Sequence, residues 1–245
     1  MSEIVLYDIP RKDLESGPWS PNTLKTRQAL KFKGLPYKTV WVEYPDIASV
    51  CQKIGATSTK TTPDGNPLYT VPTIYDPATE RAVSDSYTIT EYLDATYPST
   101  PRLIPVGTEG LQAAFYAAFQ DAGFFKLIPA FAPLIGTLLN PPSAEYFYGN
   151  TGRKEALAPW RPEDPNRDEF IQAGKQGFDV IAGWYEKAGE GKLFIMGDTP
   201  SWADIVVASY FASVRNIFGR NSKEWKEITT WHDGRWEKLL AVLDE

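Results

Sequence analysis

One proline-rich stretch divides this chain into two kinds of periodicity. Before Pro98-Ser99-Thr100-Pro101, short apolar runs of strand length alternate with segments of helical spacing. From Leu111 onward nearly every periodic segment is helical and strand signals are scarce. Proline at that density suits neither a helix interior nor a central strand, so the stretch up to Pro105 reads as a linker. A chain of 245 residues is long enough for two domains of ordinary size. The expectation is an α/β domain over residues 1–98 and an all-α domain over residues 105–245.

Within the first part, Ile4-Val5-Leu6-Tyr7 reads as a buried strand. Ser20-Pro21 then opens a helix, because serine is a preferred N-cap and proline a preferred first helical residue; Gly34 closes it. Tyr37 to Val42 is a second strand, Ile47 to Ile54 a short helix, and Gly55 to Pro67 a loop rich in Thr, Ser, Gly and Pro. Val71 to Tyr75 and Arg81 to Ser84 form a hairpin across Asp76-Pro77, and Ser86 to Tyr97 is a helix stopped by Pro98. A β-α-β-α unit followed by ββα predicts a four-stranded mixed sheet with helices on its faces.

Composition narrows the function classes. The net charge is −6 and no run of Lys or Arg stands out, which argues against a nucleic-acid partner. No stretch of eighteen apolar residues occurs, so no membrane-spanning helix is expected. The opening residues lack the pattern of a signal peptide, and Cys51 is the single cysteine; a cytoplasmic protein without an internal disulfide is the expectation. His232 is the single histidine, and there is no CxxC or HExxH pattern, so neither a metal nor histidine-based catalysis is expected. Aromatic residues make up 13%, including eight Trp, enough to fill a core and also to line a pocket for flat ligands.

A capping-box pattern, Ser201-Trp202-Ala203-Asp204, precedes the apolar run that starts at Ile205. It joins a set whose order and spacing are more specific than any member: Ser20-Pro21 with Arg27, Lys33-Gly34-Leu35-Pro36-Tyr37, Val71-Pro72-Thr73, Asp85-Ser86, Leu103-Ile104-Pro105 and Ser201-Trp202-Ala203-Asp204. Together these resemble the glutathione transferase superfamily over nearly the whole chain. The segment Trp41 to Ile47 and the long loop before Ser20 are similar to the fungal etherase-related (FuA) class, with similarity to bacterial β-etherases and omega-type enzymes. The resemblance implies a thioredoxin-like first domain that binds glutathione as cosubstrate. It also implies a helical second domain that holds a hydrophobic or phenolic ligand, and a homodimer. Several classes carry Cys where this chain has Ser20, which puts thiol-exchange chemistry in doubt here.

The chemistry asked of such a site is modest. A free thiol has a pKa of about 8.5, and lowering it by about two units takes about 2.7 kcal/mol. A hydrogen bond to a charged group contributes about 1.5–3 kcal/mol and a helix N-terminus about 0.3–1 kcal/mol. A hydroxyl at a helix start is therefore sufficient without a base. Ser20 fits that role, although a plain N-cap reading explains it too; Tyr7, near the end of the first strand, is the rival activator. By the resemblance, Val71-Pro72 has a cis bond that exposes the Val71 backbone to glutathione, and Asp85-Ser86 holds its γ-glutamyl end or simply caps a helix. Lys53 or Lys60 could meet the glycine carboxylate, and Arg27 tethers the first helix to the core. For the acceptor pocket the candidates are Pro21, Phe124, Tyr146 and Tyr148, with Gly149 and Gly152 suggesting a mobile loop beside it. A non-catalytic carrier of phenolic compounds stays open as the alternative.

Overall fold

Both faces of the first strand are apolar, and this places it inside a sheet. The computed structural model describes residues 2–149 and 166–244. In β1 (Ile4–Asp8), Ile4 and Leu6 join Leu30, Ile74, Ile89 and Leu93 on one side. Tyr7 and, just beyond the strand, Ile9 face the other way, into a larger cluster that continues through the helical half. β1 pairs in parallel with β2 (Tyr37–Trp41) through the crossover helix α1 (Pro21–Phe32). It pairs antiparallel with β5 (Thr73–Asp76), which forms a hairpin with β6 (Arg81–Ser84). The order is β2-β1-β5-β6, the mixed four-stranded sheet expected of the sequence, with α2 (Ile47–Lys53) between β2 and β5 and α3 (Ser86–Thr96) following β6.

The stretch expected to be a plain loop contains a small ribbon, β3 (Lys60–Thr61) with β4 (Pro67–Leu68). Its cause is the turn at Thr62–Gly65: Gly65 N donates to Thr62 O at 2.9 Å, and Gly65 sits at φ 81°, where a side chain would be strained. Thr62 Oγ1 also accepts from Asn66 N, so residues that read as turn formers fold back into a ladder.

The linker is fastened by one carboxylate. Asp94 of α3 accepts from Lys33 Nζ at 2.7 Å and from the amides of Leu103 and Ile104, while Leu103 O accepts from Trp202 N at 2.8 Å. Burying this charge costs little because every one of these donors is aimed at it.

Beyond β6 the described residues contain an isolated bridge between Phe194 and Gly197 but no further strand. α4 (Glu109–Phe119) runs through one π-helical turn, Gln120–Phe124, into α5 (Phe125–Leu138). This rod is long and apolar enough by length and composition to cross a bilayer, but its apolar character is used in packing against α7 (Arg167–Glu186) and α8 (Trp202–Phe218). The π turn sits where α7 comes closest: a Cβ at Gly177 would lie 2.2 Å from Ala122 O. α6 (Pro141–Gly149) precedes α7, and α9 (Lys223–Ile228) and α10 (Arg235–Asp244) follow α8. α8 is buried on all sides from Trp202 to Arg215, which is why its sequence is apolar around the whole circumference. Phe211 of α8 stacks on Trp236 at 5.5 Å, Phe178 packs against both, and Phe119 and Trp231 pack in turn against Phe178. Each fully buried aromatic or aliphatic side chain contributes about 1.5–3 kcal/mol.

Candidate functional site

Ser20 is the N-cap of α1, with extended backbone (φ −73°, ψ 122°) and Pro21 as the first helical residue. A serine in that position ordinarily accepts from an amide of the first turn. Here its side chain makes no capping bond, and its carbonyl alone enters the helix, accepting from Leu24 N at 3.0 Å. The hydroxyl is therefore uncommitted among the described residues, next to first-turn amides that have no partner inside the helix. It is only 5% exposed, yet it lines a cleft of about 460 Å³.

The same cleft is lined by Ile9, Asn22, Val71 and the aromatic pair Tyr44 and Tyr146. The Val71–Pro72 bond is cis. The β5 ladder begins only at Thr73, paired with Tyr7 and Ser84, so it leaves the Val71 amide and carbonyl out. Pro72 O accepts from Asp85 N at 3.3 Å, which sets Asp85 beside the cis bond. Asp85 takes a positive φ of 76°, and its carboxylate accepts from Tyr87 N and Thr88 N at 3.0 and 3.1 Å. A strained backbone costs about 1–3 kcal/mol and a good cap returns about 1 kcal/mol, so the geometry is held by its surroundings and leaves Ser86 buried at the first turn of α3.

The opposite wall comes from far along the chain. Tyr44 and Tyr146 stack with centroids 5.7 Å apart and planes within 5°. Glu43 accepts from Asn140 Nδ2 at 2.7 Å and from Ser143 Oγ, and that serine accepts in turn from Tyr44 N at 2.9 Å. The segment after β2 and the start of α6 are thus joined by a charge-assisted clamp.

The candidates therefore part company. Ser20, Val71 and Tyr146 share one cleft, with Pro21, Pro72, Asp85 and Ser86 directly adjoining in the chain or by hydrogen bond. Tyr148, two residues past Tyr146 and hence on the other side of α6, packs against Gly136 of α5. Phe124 is buried against Tyr210 at 3.9 Å and against Phe131. Lys53 and Lys60 are exposed and neither lines the cleft; Gly152 lies outside the described residues. Arg27 does tether α1, through an ion pair with buried Asp8 at 2.9 Å and a bond to Thr39.

Tyr7 is buried in the central strand, away from the cleft lining, and desolvation, with Cys51 and Tyr75 beside it, raises its phenol above the usual value. The Cys51 thiol is likewise raised by burial and lies 3.7 Å from Thr73 Oγ1. Neither group is poised as a nucleophile or base near neutral pH. Among the described residues no group of three His, Cys, Asp or Glu is placed to hold a metal.

Sequence patterning did not single out Tyr44, Asn22 or Lys25. Lys25 is 1% exposed on α1, with Nζ 2.8 Å from Tyr116 Oη and 4.2 Å above that ring. Burial pulls its ammonium from 10.5 down to about 7, opposed by the charge of Asp85. No local pattern distinguishes such a lysine from a surface one.

Comparison with known proteins identifies both halves of the chain. Residues 19–96 match the family model for the glutathione S-transferase N-terminal domain, and residues 110–245 match that for the C-terminal domain. A glutathione S-transferase-like protein of Aspergillus flavus is 29% identical, with 91% of this chain and 83% of that protein covered. A glutathione S-transferase of Ceriporiopsis subvermispora, crystallised in complex with glutathione, superposes with TM-score 0.93 at 44% identity over 99% of this chain and 97% of that one. Glutathione transferase GSTFuA3 of Phanerochaete chrysosporium gives TM-score 0.92 at 39% identity over 100% and 97%. With both halves matched in order and the full length superposed on fungal relatives, the chain belongs to the glutathione S-transferase family and is FuA-like within it.

Proposed function

We propose that residues 1–98 bind glutathione in the cleft at the start of α1, and that residues 105–245 present an electrophile to its sulfur. The carrying observation is the uncommitted Ser20 hydroxyl at a helix N-terminus, facing a cleft with the Val71 backbone on one side and stacked Tyr44 and Tyr146 on the other. Ser20 donates to the glutathione thiolate, and the first-turn amides of α1 add their dipole. The Val71 amide and carbonyl pair with the tripeptide backbone as an added strand would, an arrangement set by the Pro72 bond. Asp85 and Ser86 meet the γ-glutamyl ammonium and carboxylate at the N-terminus of α3. The thiolate then attacks a hydrophobic, aromatic electrophile lying against Tyr146, while Pro21 fixes the helix start and Phe124 and Tyr148 brace the helices behind that wall. Glutathione bound to the solved Ceriporiopsis subvermispora relative supports the ligand. Family membership supports a homodimer, which sedimentation at micromolar concentration checks by mass.

The deciding experiment is a conjugation assay with a panel of aromatic electrophiles on Ser20→Ala and Tyr7→Phe, run beside retention on immobilised glutathione. Loss of conjugation in Ser20→Ala with retention intact supports the reading. Full activity in Ser20→Ala with loss in Tyr7→Phe overturns it in favour of the tyrosine. Tight binding of phenolic compounds with no conjugation by the unmodified protein overturns it in favour of a carrier.

A further inference from the structure

A second cleft of about 710 Å³ lies between the loop before α1, α1 itself and the C-terminal end of α8. Its volume falls in the range of small-molecule sites, about 300–1,000 Å³. Five cations line it: Arg11 from the loop, Arg27 and Lys31 from α1, and Arg215 and Arg220 from the end of α8 and just past it. Among the described residues, Glu15 is the one carboxylate in the lining. Asp8 is consumed inside by Arg27, and Asp13 acts on Arg11 from the loop. In a chain of net charge −6, such a convergence is not what average composition would place together.

Arg11 is the most telling member. It is nine-tenths buried, Nη1 donates to Asn216 O at 2.7 Å, and Nε is buried with no hydrogen-bond partner. No carboxylate pairs with it within ion-pair distance among the described residues. A guanidinium keeps its charge and presents a fork of donors matched to the oxygens of carboxylates and phosphates. Arg220, just past α8, is exposed and belongs to the same lining. Leu24, Ile217 and Phe218 supply an apolar floor between them.

We propose that this second cleft binds a small polyvalent oxyanion, a metabolite bearing two or more phosphate or carboxylate groups, at a site separate from the cleft of Ser20. The anion is held by Arg11, buried in the lining, and by the exposed Arg220. Ser20 and Val71 face the other cleft, so the two sites share α1 without sharing a lining residue.

Titration calorimetry at constant ionic strength tests this, using pyrophosphate, citrate and the monovalent control benzoate, with S-methylglutathione saturating the first cleft. Saturable binding of pyrophosphate or citrate with Kd at or below about 1 mM is expected, with benzoate much weaker. The tighter of the two probes tells a phosphate-bearing ligand from a carboxylate-bearing one. Arg220→Gln should weaken binding at least about fivefold without altering basal conjugation, and Arg11→Gln should weaken it further. Should Arg11→Gln loosen the loop through loss of the Asn216 bond, Arg220→Gln at its exposed position decides alone. Absence of saturable binding, displacement by S-methylglutathione, equal binding of benzoate, or indifference to Arg220→Gln each overturns the proposal.

Discussion

Two serines start two helices in this molecule, and they have opposite fates. Ser201 at the start of α8 is fully buried: its amide and its hydroxyl both donate to Asp204, at 2.8 and 2.9 Å, and the same carboxylate accepts from Ile195 N. Ser20 at the start of α1 makes no capping bond and faces a cleft. Residue type and helix position are the same; what differs is whether the protein itself uses the hydroxyl. A cap whose polar atoms are all satisfied from within is architecture, and one left unsatisfied at a cavity wall is available to a ligand.

The sharpest contrast comes from removing the partner of the first serine. Asp204→Ala strands three buried donors and should cost about 3–5 kcal/mol, lowering Tm by about 10 °C, while the surviving folded protein keeps its kcat/KM. Thermal melts beside steady-state kinetics check it; a collapse of kcat/KM at unchanged Tm would break the comparison. Ser20→Ala should behave the other way round. Conjugation kcat/KM falls by about ten- to hundredfold, glutathione affinity changes much less, and stability stays within about 0.5 kcal/mol because no internal bond is lost.

A smaller effect separates the two walls of the cleft. Tyr146→Ala removes one ring of the stacked pair and should raise KM for an aromatic acceptor by about threefold to tenfold, leaving KM for glutathione near its original value. An equal rise in both would mean that the ring supports the whole cleft rather than the acceptor side.

A pH dependence at Lys25 sharpens the comparison of buried and available polar groups. Its folded pKa is lowered from 10.5 to about 7, so between those values the unfolded chain holds more protons and stability rises with pH. Below about pH 7 the buried charge is carried in full. Lys25→Met should therefore raise Tm at about pH 6 and lose that advantage as the pH climbs toward 10.5. A gain that grows with pH would show that the fold raises the pKa of Lys25 instead of lowering it.

What the sequence disclosed follows the range of the interactions involved. Ser20-Pro21 announces a helix start because cap and first-turn preferences act over a few residues. The hairpin of β5 and β6 and the role of Arg27 are also legible from local pattern and motif order. Tyr44 is not, because its partner Tyr146 lies on another element and nothing in the intervening chain marks the pair. The aromatic candidates of the helical half divide for the same reason. Periodicity puts Tyr146 and Tyr148 on different sides of α6, but only the docking of α6 decides which side meets the cleft. Lys25 misleads outright, since a lysine in a helix is ordinarily solvated and its burial is imposed by Tyr116 and Tyr210 packing over it.

The clamp at Glu43 has a consequence in time. Its partners Asn140 and Ser143 stand 97 and 100 positions later in the chain. During synthesis, which proceeds from the N-terminus, Ser20, Val71 and Asp85 all emerge before α6 exists to close over them. A nascent chain thus assembles first the half of the cleft formed by Ser20, Val71 and Asp85, open to solvent or to any holding chaperone on its far side. It gains the wall of Tyr44 and Tyr146 only when Glu43 captures the first turn of α6.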